Sequence, residues 1–390
     1  MPFPPPPAPR IEGPVCDAHV HVSAARPFDC TCGMLRGLME RFGMDRLAVM
    51  ALPSSSRRGT DSPLNNLVAL ACKARLNAEG AARRVHACAG LRHFGPDSGT
   101  PEGLLAQARR AIALGFDGFK MLEGKPGLRR RLGAPLDGPL YEPFFAWAEE
   151  EGWPITMHSC DPARFWDAAA APADAAEHGW AYDASYPSLA ALRAETENVL
   201  RRHPRLRLML AHIFFLGDDP DEAERLLAAY PGLTFDLTPG GEMYTGITAR
   251  RDVWRPLFER RADRFFFGTD CDNWHCSDDL TTYDWNFGFL VRLVLDMLGE
   301  GEPFRFHDAD LGELVPLALP ERARRAIVHD NFVARFGAEP RPVATDLAAE
   351  DAATLADSFA DFAADAGIPP DRLAAERSLA GEIRAFFARG

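Results

Sequence analysis

Five side chains in this sequence are of the types that hold a metal ion and move protons around it. His19 and His21 stand two residues apart in VCDAHVHV, and along a β-strand that spacing sends both imidazoles to one face, where they can share an ion. His158 in TMH, His212 in LAH and Asp270 in FGTD each close a short apolar run. Three imidazoles and one carboxylate suit zinc or a similar first-row divalent ion that keeps one position open for water. Such an ion lowers the pKa of its water from about 15.7 to near 7. Asp270 can then accept the water proton and later pass it to a leaving group. His212, if not a ligand, stands beside the open position and orients the water or polarises the substrate.

These residues need a scaffold that brings distant strand ends together. From about residue 15 to about residue 338, apolar β-rich runs alternate with stretches of helical period, a rhythm that implies a parallel sheet. The strand candidates cover 15–22, 46–52, 84–91, 116–122, 153–159, 206–212, 233–238 and 264–270. Between them lie helical patterns such as PEGLLAQARRAIALG and SLAALRAETENVLRRHP, opened by Pro or Ser and several closed by Gly. Eight such pairs predict an α/β fold, a (β/α)8 TIM barrel whose catalytic groups gather at the C-terminal strand ends. A doubly wound sheet is the alternative, but no GxGxxG follows the first strand. Two insertions, 160–184 and 271–317, leave C-terminal strand ends and are placed as lids. The domain reading is a proline-rich arm over 1–14, the barrel over 15–338 and a C-terminal helical extension over 339–390, which serves packing or dimerisation.

Composition narrows the partners. The 390 residues are 47% hydrophobic and 25% charged, as in a globular protein with a sizeable core, and the formal net charge of -13 leaves no basic footprint for nucleic acid. No apolar run approaches 18 residues, so no membrane partner is expected. The start MPFPPPPAPR lacks the apolar core of a secretory signal, and the expectation is a cytoplasmic protein. Eight scattered cysteines form no CxxC pair and read as reduced thiols. Of the 43 basic residues only Lys73, Lys120 and Lys125 are lysines. Two of these fall in FKMLEGKPG, which suggests that an ammonium, rather than any positive charge, is needed there.

The motifs DAHVH at 17–21, TMH at 156–158, LAH at 210–212, FGTD at 267–270 and IVHDNFVARFG at 327–337 together resemble the amidohydrolase superfamily. Within it they are similar to the amidohydrolase-related branch that includes aminocarboxymuconate semialdehyde decarboxylase and related hydratases and hydrolases. The resemblance covers about residues 15–338. It implies His19, His21, His158 and Asp270 as metal ligands, with His212 assisting catalysis, and a mononuclear site; family habit favours a homodimer. In binuclear members a carboxylated lysine on the fourth strand bridges two metals, which raises the same question of Lys120.

The expected function is a hydrolase in which a metal-activated water cleaves an amide, ester or lactone of a small molecule. One zinc ion per chain is expected, with manganese, iron or cobalt as alternatives. The alternatives are a metal-dependent lyase, decarboxylating or hydrating a small unsaturated carboxylic acid, and a non-catalytic binding barrel. Lys120 is expected to hold a substrate carboxylate or carbonyl with Glu123 nearby, carboxylation being the weaker option. His93 and Glu242 are expected along the pocket, together with Tyr244, Asp272 and His275. His178 and Trp180 are lid candidates, and Cys160 and Cys271 are read as packing residues.

Overall fold

The computed structural model describes residues 13–54, 62–80, 84–95, 98–172, 175–240, 243–274, 287–305, 312–357, 359, 361 and 370–389. Its main sheet has eight strands in the order β1 to β8: Val15–Val22, Met44–Ala51, Arg84–Gly90, Gly118–Gly124, Ile155–Ser159, Leu208–Leu210, Thr234–Asp236 and Phe265–Phe266. The described registers in this sheet are parallel, and helices lie between the strands, so the fold is the expected (β/α)8 barrel. All eight residues of β1 are buried, as a strand covered on both faces requires. Beyond β8 the chain returns to β1: the Ala18 amide donates to Phe267 O at 3.0 Å, and His21 bridges to Asp272.

The strand expectations hold at β1 to the residue and drift toward the end of the chain. β6 stops at Leu210, so His212 does not end a strand; it lies in the turn Ala211–Phe215, where His212, Ile213, Phe214 and Phe215 all have positive φ. β8 stops at Phe266, and Asp270 follows four residues later with φ 61°. Lys120 is the third residue of β4.

Two compact units share the chain. The first comprises 1–120, 267–292 and 328–390, the second 121–266 and 293–327. In the first, helix Pro101–Leu114 begins with Thr100 accepting from the Gly103 amide at 3.1 Å and ends at Gly115 with φ 103°. A Cβ on Gly115 would stand 2.2 Å from Pro342 O, so only glycine lets the 339–344 linker pass there. Lys73, from helix Asn65–Glu79, fixes the same place. Its ammonium donates to Gly115 O and to Asp117 Oδ2, both at 2.6 Å. The Asp117 carboxylate also accepts the amides of Ala87 and Arg341 at 2.8 Å. Both side chains are 1% exposed.

The C-terminal extension belongs to this unit too. Helix Thr345–Asp357 packs on Pro101–Leu114 through Arg110 and Asp351, 2.6 Å apart. Helix Pro370–Phe387 packs on Asn65–Glu79 and Phe28–Arg41, with the Phe386 ring 5.3 Å from that of Phe28. In the second unit, Leu189–Arg202 is capped by Ser188 and Pro220–Ala229 by Asp219, each accepting an amide of the first turn. No helix among the described residues is long and apolar enough to cross a membrane.

Removing one partner of a buried ion pair leaves the other charge unsatisfied. Lys73→Met should therefore destabilise the protein by about 3–5 kcal/mol, read as a lower midpoint in urea unfolding; an unchanged midpoint would reject this role for the pair.

Candidate metal centre

The first unit gathers His19, His21, Lys120 and Asp270. The two imidazole Nε2 atoms are 3.1 Å apart, and Asp270 Oδ1 lies 2.9 Å from that of His21 and 3.5 Å from that of His19. Two nitrogens and one oxygen converging in this way, from residues largely shielded from water, fit a divalent cation of the zinc or manganese kind. Lys120, fully buried, reaches the same point: its Nζ is 2.7 Å from His19 Nε2.

The placement of these groups follows from β1 and its neighbour segment. Pleating puts His19 and His21 on one face. The Asp17 carboxylate, buried between them and residue 269, accepts the amides of His19 at 3.0 Å and Thr269 at 3.2 Å, and the Thr269 hydroxyl at 2.6 Å. The Asp270 amide donates to His19 O at 2.9 Å, and the His21 amide to Cys271 O at 2.7 Å. Asn273 continues the tie, accepting the Ser23 amide at 3.0 Å and donating to Ser23 O at 2.7 Å. The positive φ of Asp270 is held by these bonds, and such conformations persist only where the surroundings over-determine them. Burial, reinforced by the charge of Lys120, lowers the His21 pKa to about 4, so at neutral pH the ring is in the neutral form that binds metal.

The second unit holds His158 and His212. His158 Nδ1 is 3.2 Å from His212 Nε2, and His158 Nε2 is 2.9 Å from Asp161 Oδ1. Lys125 donates to the same Asp161 oxygen at 3.0 Å, and the Tyr182 hydroxyl donates to the other. Burial first, then the Lys125 charge, lowers the His158 pKa to about 3. His212 is fixed by its backbone and its ring: its amide donates to Asp236 Oδ1 at 2.9 Å, and its Nδ1 meets Thr238 O and Oγ1 at 3.1 Å. Gly240 makes room for that ring, because a Cβ there would stand 2.5 Å from Nδ1.

Residues of the 160–184 insertion line this cluster. Trp180 faces Lys125 at 5.8 Å and stacks on Phe165 and His178, beside Tyr182 on Asp161. Among the other expected residues, Glu123 is buried and accepts the Leu122 amide at 2.8 Å. His93 is half-buried, its amide donating to Ser54 O at 2.8 Å. Tyr244 gives its hydroxyl to Leu237 O. Glu242 and His275 lie outside the described residues. Cys160 and Cys271 are buried, and burial raises both thiols, Cys160 to about 12.

Sequence reasoning did not single out Asp161, Tyr182, Thr238 or Asp236. Asp161 had a signal, standing three residues after His158 in HSCD. Tyr182 had none, since it arrives from the insertion.

His86, like His21, is buried with its pKa lowered to about 4, chiefly by burial. Between their lowered values and the ordinary 6.5, His21, His86 and His158 bind fewer protons folded than unfolded, so stability is lost as pH falls through that window. The slope should reach about 1.4 kcal/mol per pH unit for each ring, measured by urea unfolding of metal-free protein between pH 7 and pH 4.5; equal stability at both ends would refute it. Gly240→Ala should destabilise by about 1–3 kcal/mol through overpacking and move the His212 imidazole NMR signals, whereas unmoved signals would mean that the ring does not need the space.

No curated protein matches this chain. Among solved structures it is similar to a 4-oxalomesaconate hydratase from Rhodopseudomonas palustris, 14% identical over 89% of this chain and 99% of that one, with a TM-score of 0.47. It is also similar to a dihydroxybenzoic acid decarboxylase from Polaromonas sp. JS666 with bound manganese and the inhibitor 2-nitroresorcinol, 14% identical over 83% and 97%, TM-score 0.45. A third is an amidohydrolase from Mycoplasma synoviae, 11% identical over 89% and 94%, TM-score 0.43. The amidohydrolase family model matches residues 16–337, the span that carries both histidine clusters and, but for Val15, the eight strands of the main sheet, and the chain belongs to that family.

Proposed function

We propose that this amidohydrolase-superfamily enzyme is a hydrolase that cleaves an amide, ester or lactone bond of a small molecule. The observation that carries the reading is the convergence of His19 Nε2, His21 Nε2 and Asp270 Oδ1. A divalent cation held by these residues supplies Lewis acidity and a water acidic enough to react near neutral pH. Zinc is the ion we assign, one per chain at this centre, and manganese, iron or cobalt suit the same donors. His158 as a further ligand and His212 as a group that assists catalysis rest on the family pattern.

The chain's own residues divide the remaining work. Asp270, one-third exposed beside two nearly buried histidines, has the access to accept a proton from water and return it to the leaving group. His21, neutral in this setting, keeps its lone pair for binding. Lys120 holds a substrate carboxylate or carbonyl by its ammonium. We take the enzyme as a cytoplasmic homodimer, with Glu123, His93 and Glu242 as further substrate contacts.

A second reading is favoured by one feature. Lys120 and Lys125 each place an ammonium beside a histidine, a pattern suited to an acidic substrate, and a lyase that decarboxylates or hydrates an unsaturated carboxylic acid would use it. Product analysis of the reconstituted enzyme on a panel of amides, esters, lactones and unsaturated acids decides between them. Asp270→Asn should lower turnover by at least about 10²-fold and reduce the metal content by up to one ion per chain. Carbon dioxide release, or addition of water without bond cleavage, would overturn hydrolysis in favour of the lyase. Wild type that takes up no metal would overturn both and leave a binding barrel.

A further inference from the structure

At the other end of β1, in the same unit, three side chains of unlike type meet. Cys16, Asp45 and His329 each direct a ligand atom so that the sulfur, a carboxylate oxygen and a ring nitrogen lie within 4.8 Å of one another. Cys16 and Asp45 are the second residues of β1 and β2, at the strand ends opposite His21. Cys16 is 1% exposed, while Asp45 and His329 retain side-chain exposures of 27% and 17%, which leaves a path for an ion.

Two departures from regular backbone produce this meeting. The register of β1 on β2 passes from Val15↔Met44 to Cys16↔Arg46, so Asp45 is the extra residue of a bulge, a device that re-aims a side chain. His329 lies in the π-helical turn Ala326–Asp330, a form rare in proteins and frequent at functional sites. A bulge and a π-turn, contributed by segments far apart in sequence, deliver their residues to one thiol. The Asp330 carboxylate stands 2.8 Å from His329 Nδ1, the carboxylate partner that metal-bound imidazoles commonly carry.

We infer that Cys16, Asp45 and His329 form a second metal site that takes zinc or an ion of similar softness. A thiolate, an imidazole and a carboxylate are the donor classes zinc accepts, and a water completes the tetrahedron. Binding displaces the proton of the Cys16 thiol to solvent, one per ion, and forms the metal–sulfur bond. The ion would pin the starts of β1 and β2 to the turn that precedes helix Asn331–Phe336, on the face of a barrel that serves stability rather than chemistry.

Cobalt(II) separates this site from the rim, because a cobalt–thiolate bond gives a near-ultraviolet charge-transfer band that histidine and carboxylate ligands do not. Metal-stripped full-length protein titrated with cobalt should show the band in wild type and in Asp270→Asn, release one proton per ion, and lose the band in Cys16→Ser. His329→Gln, a more exposed substitution that spares the buried strand, should weaken cobalt binding at this site at least tenfold. Elemental analysis after zinc loading should give one ion fewer in either variant than in wild type. The inference is overturned if wild type shows no thiolate band, if the band survives in Cys16→Ser, or if both variants keep the wild-type zinc content, in which case any second ion belongs to the rim.

Discussion

The buried carboxylate of Asp17 is the constraint on which the candidate centre depends. It lies on β1 between the segments that must meet, and its three hydrogen bonds to the His19 amide and to Thr269 are what a charge removed from water requires. Satisfying that charge fixes the register of β1 against residues 267–273, and the register decides where His19, His21 and Asp270 point. The left-handed backbone at Asp270 is a consequence. A non-glycine residue in that region is disfavoured by roughly 1–2 kcal/mol, and the amide bond to His19 O together with the Asp17 network holds it there.

The lysines show how composition can report on interior chemistry. In a chain that uses arginine almost everywhere, each lysine meets a specific polar partner away from open solvent: Lys73 on Asp117, Lys120 on His19, Lys125 on Asp161. A guanidinium is planar and needs a wide, fork-shaped setting, whereas an ammonium fits a compact one. At Lys73 the setting is closed by a carboxylate and the carbonyl of Gly115, both at 2.6 Å.

Much of this was legible in the sequence because it depends on short-range periodicity. β1 runs from Val15 to Val22 as its alternating pattern requires, and the HxH spacing alone puts both rings on one face. The barrel order followed from the alternation of strand and helix. What was not legible depends on contacts between distant segments. The short β6 and the left-handed turn at His212 are set by Asp236, which ends the next strand, and by Thr238 just beyond it, and no local propensity signals four successive positive φ values in HIFF. The cluster of Asp161, Lys125 and Tyr182 depends on how the insertion folds back, and the bulge at Asp45 is a property of pairing rather than of either strand.

The way the chain is divided bears on how the enzyme comes into being. Asp17 and Thr269 are 252 residues apart, and the unit they close also needs residues 328–390. On the ribosome, the histidines of β1 are made well before Asp270, the carboxylate that meets them. The second unit draws on no residue beyond 327 and can complete its contacts sooner. A chain that stopped before residue 267 would therefore leave β1 without the segment that closes on it. The arrangement makes the cluster of His19, His21 and Asp270 a product of synthesis that follows the scaffold lying between its members.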